Sequence, residues 1–292
     1  MASIHELHTY YDEDERKDYA LVPVEEYEIE STERKQQQRE YFERKRAMET
    51  DTRRYVNCYH DAVTELNEIL DVNEMGAIMK LIPHLKMHSG GQLVFESKRM
   101  SRTEIRKVIG KGDRWTRDIL KTLVDAQVLI EAKDGRRKVY NVSDRYHTIG
   151  YTLKDRYYTK LYQTKTRADI NDITIQAAGV LYKMLPYFHY ARYYLCENPN
   201  EPNPERLHHL TQTRLAELVN VERSIVKRGI SELSRYGFVM ISKSFGATVI
   251  MVNPDVMYRK KSTDDYTDTV RYQFAQTKEK AENGEDFDWL PY

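Results

Sequence analysis

Arg223, Ser224, Lys227 and Arg228 stand in the stretch VNVERSIVKRGISELSRYGFV, where Val226, Ile230 and Leu233 recur at helical spacing. If those apolar rungs turn inward, the two arginines, the lysine and the serine share an outer face near the start of a helix. Such a face suits a polyanion. A guanidinium pairs in bidentate fashion with a guanine edge, and ammonium and hydroxyl groups reach bases or phosphates. One hundred and ten residues earlier, DRWTRDILKTLV sets Arg114, Arg117 and Lys121 at outward positions, with bulky Trp115 and the acids Asp113 and Asp118 among them. The stretch KDGRRKVY gathers Lys133, Arg136, Arg137 and Lys138 around one turn, a cluster that repels itself until a polyanion neutralises it. SKSFGAT, at the matching place downstream, brings only Lys243 and a phenylalanine, and predicts a weaker phosphate contact.

The elements that must hold these residues occur twice. GAIMKLIPHL (Gly76 to Leu85) and GVLYKMLPYF (Gly179 to Phe188) share glycine, lysine and proline at matching places, 103 residues apart. From Met100 and from Leu210 a longer pattern aligns at an offset of 110. Ile105 falls on Leu215, Val108 on Leu218, Leu120 on Ile230, Leu123 on Leu233, Val128 on Phe238 and Val142 on Val252. Two copies of one unit predict a tandem; a solenoid needs at least three. Within each copy a first helix is kinked or ended by Pro83 or Pro186. A second helix opens at Ser101, where Glu104 completes the spacing of a capping box, and in the second copy at Thr211 or Thr213. Short turns, GKGD and NVE, lead to third helices over about 113–126 and 222–236. The period then changes to two, and VLIEAKDGRRKVYNV and FVMISKSFGATVIMV predict β-hairpins, the first turning at Asp134-Gly135.

Helix, helix, turn, helix, hairpin resembles the winged helix–turn–helix domains of bacterial transcription regulators, over about 73–143 and 174–258. The tandem, with MVNPDVMYRK closing the second copy, is similar to regulators and replication initiators of Gram-positive plasmids and phages. The expected fold class is α+β: mainly α with small β-hairpin wings, as two tandem winged-helix domains joined by a linker and flanked by charged tails. The resemblance implies a third helix in the major groove of duplex DNA and a wing on the backbone. Expected DNA contacts are therefore Arg114, Arg117, Lys121, Arg136, Arg137, Lys138, Arg223, Ser224, Lys227, Arg228 and Lys243. Two such units would dock in successive grooves about 34 Å apart, and homodimerisation stays open. The function implied is sequence-specific DNA binding by a transcription regulator; the alternatives are an origin-binding replication initiator and a protein-interaction adaptor.

Charge is sorted along the 292 residues although the net is zero. Residues 1–31 carry −8 and residues 262–292 carry −5, leaving +13 on the body between them. The expected order is an acidic tail (1–31), a charged and helix-prone arm (32–56), the first domain (57–147), a basic, tyrosine-rich linker (148–172), the second domain (173–261) and an acidic tail (262–292). Tyr157, Tyr158, Leu161 and Tyr162 are expected to pack on one of the domains. The acidic tails offer a surface to a transcription or replication protein. In the C-terminal one, Phe287, Trp289 and Leu290 interleave with acids, a pattern that docks in a partner's groove or folds back on its own body.

Nothing points to catalysis. The chain holds no phosphate-cradling glycine loop, no GxSxG, no HExxH and no paired-cysteine spacing. HELH (His5 to His8) lies in the acidic N-terminal stretch, and none of the 23 tyrosines stands with the His-apolar-His pair a strand-nicking enzyme needs. Cys196, His208 and His209 do not reach a metal-ligand pattern, so no metal or cofactor is expected. Cys58 and Cys196 read as free thiols of a reducing compartment. No apolar run approaches a membrane span and no leader is visible, so the expected location is the bacterial cytosol or nucleoid, with no membrane partner.

Overall fold

The computed structural model describes residues 8–21, 33–39, 53–244, 247–260 and 263–282. They fall into two units, Met1–Asp51 and Thr52–Tyr292. In the first, β1 (His8–Asp12) pairs antiparallel with β2 (Lys17–Leu21), and residues 33–39 form helix α1. The hairpin turn is closed by the Asp12 carboxylate, which accepts from the backbone N–H groups of Asp14 and Glu15 at 2.9 and 3.1 Å. The N-terminal stretch expected as a tail is therefore ordered over His8–Leu21, because stacked Tyr10 and Tyr19, 5.4 Å apart, and local carboxylate bonds support the ladder.

In the second unit each copy of the repeat opens on a strand and a helix that precede the aligned stretches. β3 (Tyr55–Tyr59) and α2 (His60–Ile69) lead the first copy; β9 (Tyr158–Tyr162) and α6 (Gln163–Asp169) lead the second. Residues 148–172 are thus corrected from a linker to the opening of the second copy. Thr159, Leu161 and Tyr162 are buried there, so the tyrosine-rich stretch contributes to a sheet and a core. Next come α3 (Val72–Leu81) and α7 (Ile175–Lys183), each passing into a single 3-10 turn at its proline. Asp71 caps α3 in a reciprocal box with Glu74, and Thr174 caps α7.

A β-hairpin, β4 (Val94–Phe95) with β5 (Lys98–Arg99), precedes α4 (Arg102–Ile109) and α5 (Asp113–Asp125). Then follow β6 (Leu129–Asp134), β7 (Arg137–Val142) and β8 (His147–Ile149). The second copy repeats this with α8 (Gln212–Leu218), α9 (Arg223–Arg235), β10 (Val239–Ser244), β11 (Ala247–Val252) and β12 (Met257–Tyr258). Ser101 and Thr211 cap α4 and α8 as expected. The first hairpin turns through Gly135 and Arg136, since Asp134 pairs with Arg137, and Gly135 supplies the positive φ of 60°. The class is α+β with small antiparallel sheets.

The two copies meet about an approximate two-fold axis. In the four-stranded sheet, ordered β12-β9-β3-β8, β3 and β9 run antiparallel with Tyr55 opposite Tyr162, Asn57 opposite Lys160 and Tyr59 opposite Tyr158. Asn57 and Lys160 are themselves 103 residues apart, so the ladder is centred on equivalent residues. β8 adds to β3 with His147 opposite Cys58, and β12 adds to β9 with Met257 opposite Leu161, again in equivalent registers. The repeated helices then cross each other. A Cβ on Gly76 would lie 2.0 Å from the Ile175 carbonyl oxygen, and one on Gly179 would lie 1.8 Å from that of Val72. The repeat preserves glycine because the backbones touch there.

The lysines of the repeat answer one another too. Lys80 Nζ donates to the Ile173 carbonyl at 2.8 Å; Lys183 Nζ donates to the Leu70 carbonyl at 3.1 Å and to that of Asn67 at 3.2 Å. Leu70 and Ile173 are equivalent residues, each ahead of the partner helix, so each lysine tethers the other copy's helix entry. Both lysines are buried. Side chains of both copies, such as Met79, Leu123, Val180 and Leu233, belong to one hydrophobic core.

A final helix, α10 (Asp265–Glu282), corrects the C-terminal tail over those residues. It buries Thr267, Val270 and Phe274, stacks Tyr266 on Tyr193 at 6.0 Å, and pairs Arg271 with Asp255 at 2.9 Å. No helix among the described residues is long and apolar enough to cross a membrane.

Candidate nucleic-acid interface

α9 buries Val226, Gly229, Ile230 and Leu233 and leaves Arg223, Ser224, Lys227 and Arg228 exposed, as the helical spacing predicts. What fixes its rotation is α7: a Cβ on Gly229 would lie 2.9 Å from Val180 Cγ2, so the two helices approach closely along one line. The equivalent positions in the first copy are Ile119 on α5 and Ala77 on α3, large and small exchanged between the partners. Glu232, on the same helix, accepts from the backbone N–H of Thr174 at 2.6 Å and from its hydroxyl at 2.7 Å, which ties α9 to the start of α7.

Among the described residues the cationic face of α9 carries no neutralising partner: no carboxylate pairs with Arg223, Lys227 or Arg228. Ser224 donates its hydroxyl to Glu222. The stripe continues further along the helix through Ser231 and Arg235. A groove of about 720 Å³ runs along it, between α9, Gln212 at the start of α8 and Ile241 of β10. Gln212, Ser231 and Arg235 were not singled out from sequence, yet Ser231 and Arg235 follow Ser224 at seven and eleven residues and so fall on its face.

α5 presents Arg114, Arg117 and Lys121 outward, but its charges are partly spent. Asp113, at the first turn, holds Arg117 at 3.0 Å and Arg102 of α4 at 3.2 Å. Trp115 is half-buried against the core, with Lys111 above its ring at 5.7 Å, which makes it a packing residue. In the hairpin that follows, Arg136 is exposed at the turn, Arg137 pairs with Glu104 at 3.1 Å, and Lys138 pairs with Glu131. Burial alone would raise the Glu104 carboxyl; bonds from the Ser101 hydroxyl and N–H and the Arg137 charge outweigh it and hold it below its ordinary value. The same carboxylate thus caps α4 and braces the hairpin.

The side chain of Lys243 lies outside the described residues, as do Phe287, Trp289 and Leu290. Every other predicted contact falls on α5, on α9 or on the β6–β7 hairpin, and α5 and α9 stand at matching places in the order of the two copies. Comparison with protein-family models, curated proteins and solved structures gave no match for this chain.

Proposed function

We propose that the chain is a non-enzymatic, sequence-specific binder of duplex DNA, built as two winged helix–turn–helix units and acting as a transcription regulator in a bacterial cytosol. One observation supports the reading: a third helix with an exposed cationic face, followed by a hairpin, occurs twice, at matching places in two copies whose strands and first helices pair about a two-fold. Duplex DNA has local two-fold symmetry of its own, and paired reading helices are how such proteins engage successive major grooves. One chain would then do what two copies of a single-unit regulator do. The arginines and lysine of α9 would supply base and phosphate contacts, and Arg136 a backbone contact beside α5.

Titration of genomic duplex fragments across a salt series tests this. Wild type is expected to bind with a log–log salt slope set by roughly 0.9 per neutralised phosphate, and Lys227→Ala with Arg228→Ala is expected to lower it by about one to two such steps. An unchanged slope would remove α9 from the interface. Absence of any salt-sensitive affinity would instead favour an adaptor whose winged helices bind proteins. The strongly acidic stretch 1–31 favours a second reading, a replication initiator that recruits further proteins once bound. Binding sites repeated at an origin, and not overlapping promoters, would select it.

A further inference from the structure

The groove along α9 combines cations with an apolar floor. Lys227, Arg228 and Arg235 line it, and so do Tyr236, which is 41% exposed, and Ile241 of β10. Duplex DNA satisfies the cations of such a surface and leaves the aromatic and aliphatic floor unused. An acidic peptide with interleaved aromatic residues matches both. Glu232, the one acid among the residues lining the groove, is engaged by Thr174 and does not neutralise these charges.

This chain contains a segment of that description. Residues 283–292 read NGEDFDWLPY, with Glu285, Asp286 and Asp288 set among Phe287, Trp289 and Leu290 and no basic residue. The helix leading to it packs against the strand that carries part of the groove wall. On α10, Thr277 Oγ1 donates to Met240 Sδ at 3.7 Å; Met240 neighbours Ile241 on β10, its side chain on the opposite face of the hairpin. From Glu282 the remaining ten residues reach as far as about 33 Å when extended, several times the width of an α-helix. The geometry points to residues 283–292 as an intramolecular occupant of the α9 groove, masking the face of α9 that would otherwise engage a polyanion. The acids pair with Lys227, Arg228 and Arg235, and the aromatic side chains cover Tyr236 and Ile241. Docking stands on the groove and the segment alone; masking rests on the duplex-binding reading. A short tether holds its peptide at an effective concentration of about 1 mM. A peptide binding at about 100 μM would then weaken binding of a competitor roughly tenfold.

Two measurements test this, the first without DNA. A synthetic NGEDFDWLPY peptide is added to the chain ended after Glu282, and binding is followed by calorimetry. Saturable binding is expected, lost on Lys227→Glu with Arg235→Glu in the protein, and lost separately on Asp286→Asn with Asp288→Asn in the peptide. No binding, or equal binding to the charge-reversed protein, overturns the docking. Because the peptide variants leave the protein unchanged, a folding defect cannot produce their result. In the second, the full chain and the chain ended after Glu282 are titrated with the same duplex at low salt. The shortened chain is expected to bind about tenfold tighter. Equal affinity overturns the masking. Failure of both chains to bind DNA, with the peptide still seated, overturns the duplex-binding reading and leaves the docking supported.

Discussion

Lys183 shows how much a single residue of the repeat is asked to bear. It is 1% exposed, and its ammonium is satisfied by backbone carbonyls of the other copy. Burial pulls it down to about 8, with the nearby acids Asp71, Glu68 and Glu74 acting in the opposite sense, and burial likewise lowers Lys80. In the unfolded chain the same lysine keeps its proton up to about 10.4. Between those values the unfolded state binds more protons than the folded one, so this residue's contribution to stability improves as pH rises from about 8 towards about 10.4. Below about 8 the cost of the buried charge is fully present. Urea unfolding of wild type and Lys183→Met at about pH 7.5 and about pH 9.5 should therefore give a stability difference that moves in favour of wild type at the higher pH. A difference independent of pH would mean that the lysine titrates normally in the fold.

The crossing of α3 and α7 is set by its two glycines. At 2.0 and 1.8 Å from a carbonyl oxygen, an added methyl meets backbone, which cannot rotate away as a flexible side chain would. The helices would have to separate, and with them the caps, the lysine tethers and the shared core. Gly76→Ala and Gly179→Ala are each expected to destabilise by about 3 kcal/mol, at the upper end of overpacking costs. The two effects should be similar in size because the sites are equivalent. A chemical-denaturation midpoint within error of wild type for either variant would show that the crossing yields. The same elements explain why the repeated helix is apolar on nearly all sides: α3 and α7 face each other and their own third helices, and α3 also meets α4 while α7 meets α2.

Across the whole molecule, the two copies are halves of one folding unit. β3 hydrogen-bonds with β9, α3 packs on α7, and β8 of the first copy holds its His147 against Tyr182 of the second at 2.6 Å. Neither copy closes its sheet or its core alone. Residues 52–292 should accordingly unfold in one calorimetric transition whose van't Hoff and calorimetric enthalpies agree. The isolated fragment 158–260 should lack cooperative unfolding. Two separated transitions would restore the picture of independent domains on a linker.

That picture came from the sequence, and the way it failed is instructive. Local pattern determined the second helices with their caps at Ser101 and Thr211, the third helices, the hairpins and the outward set on α9, since 3.6- and 2-residue periods follow from backbone geometry. It also held a signal left unused. YVNCYH (Tyr55 to His60) and YTKLYQ (Tyr158 to Gln163) carry tyrosine at the same two places, 103 residues apart, and extend the repeat upstream into β3 and β9. What periodicity could not supply is partnership. That the glycine of one copy touches the backbone of the other, that Lys80 and Lys183 exchange carbonyls, and that α5 spends its charge on Asp113 while α9 keeps its own are matters of which groups meet in space. Their free energy exists only once those groups have met, so only the tertiary structure decided them.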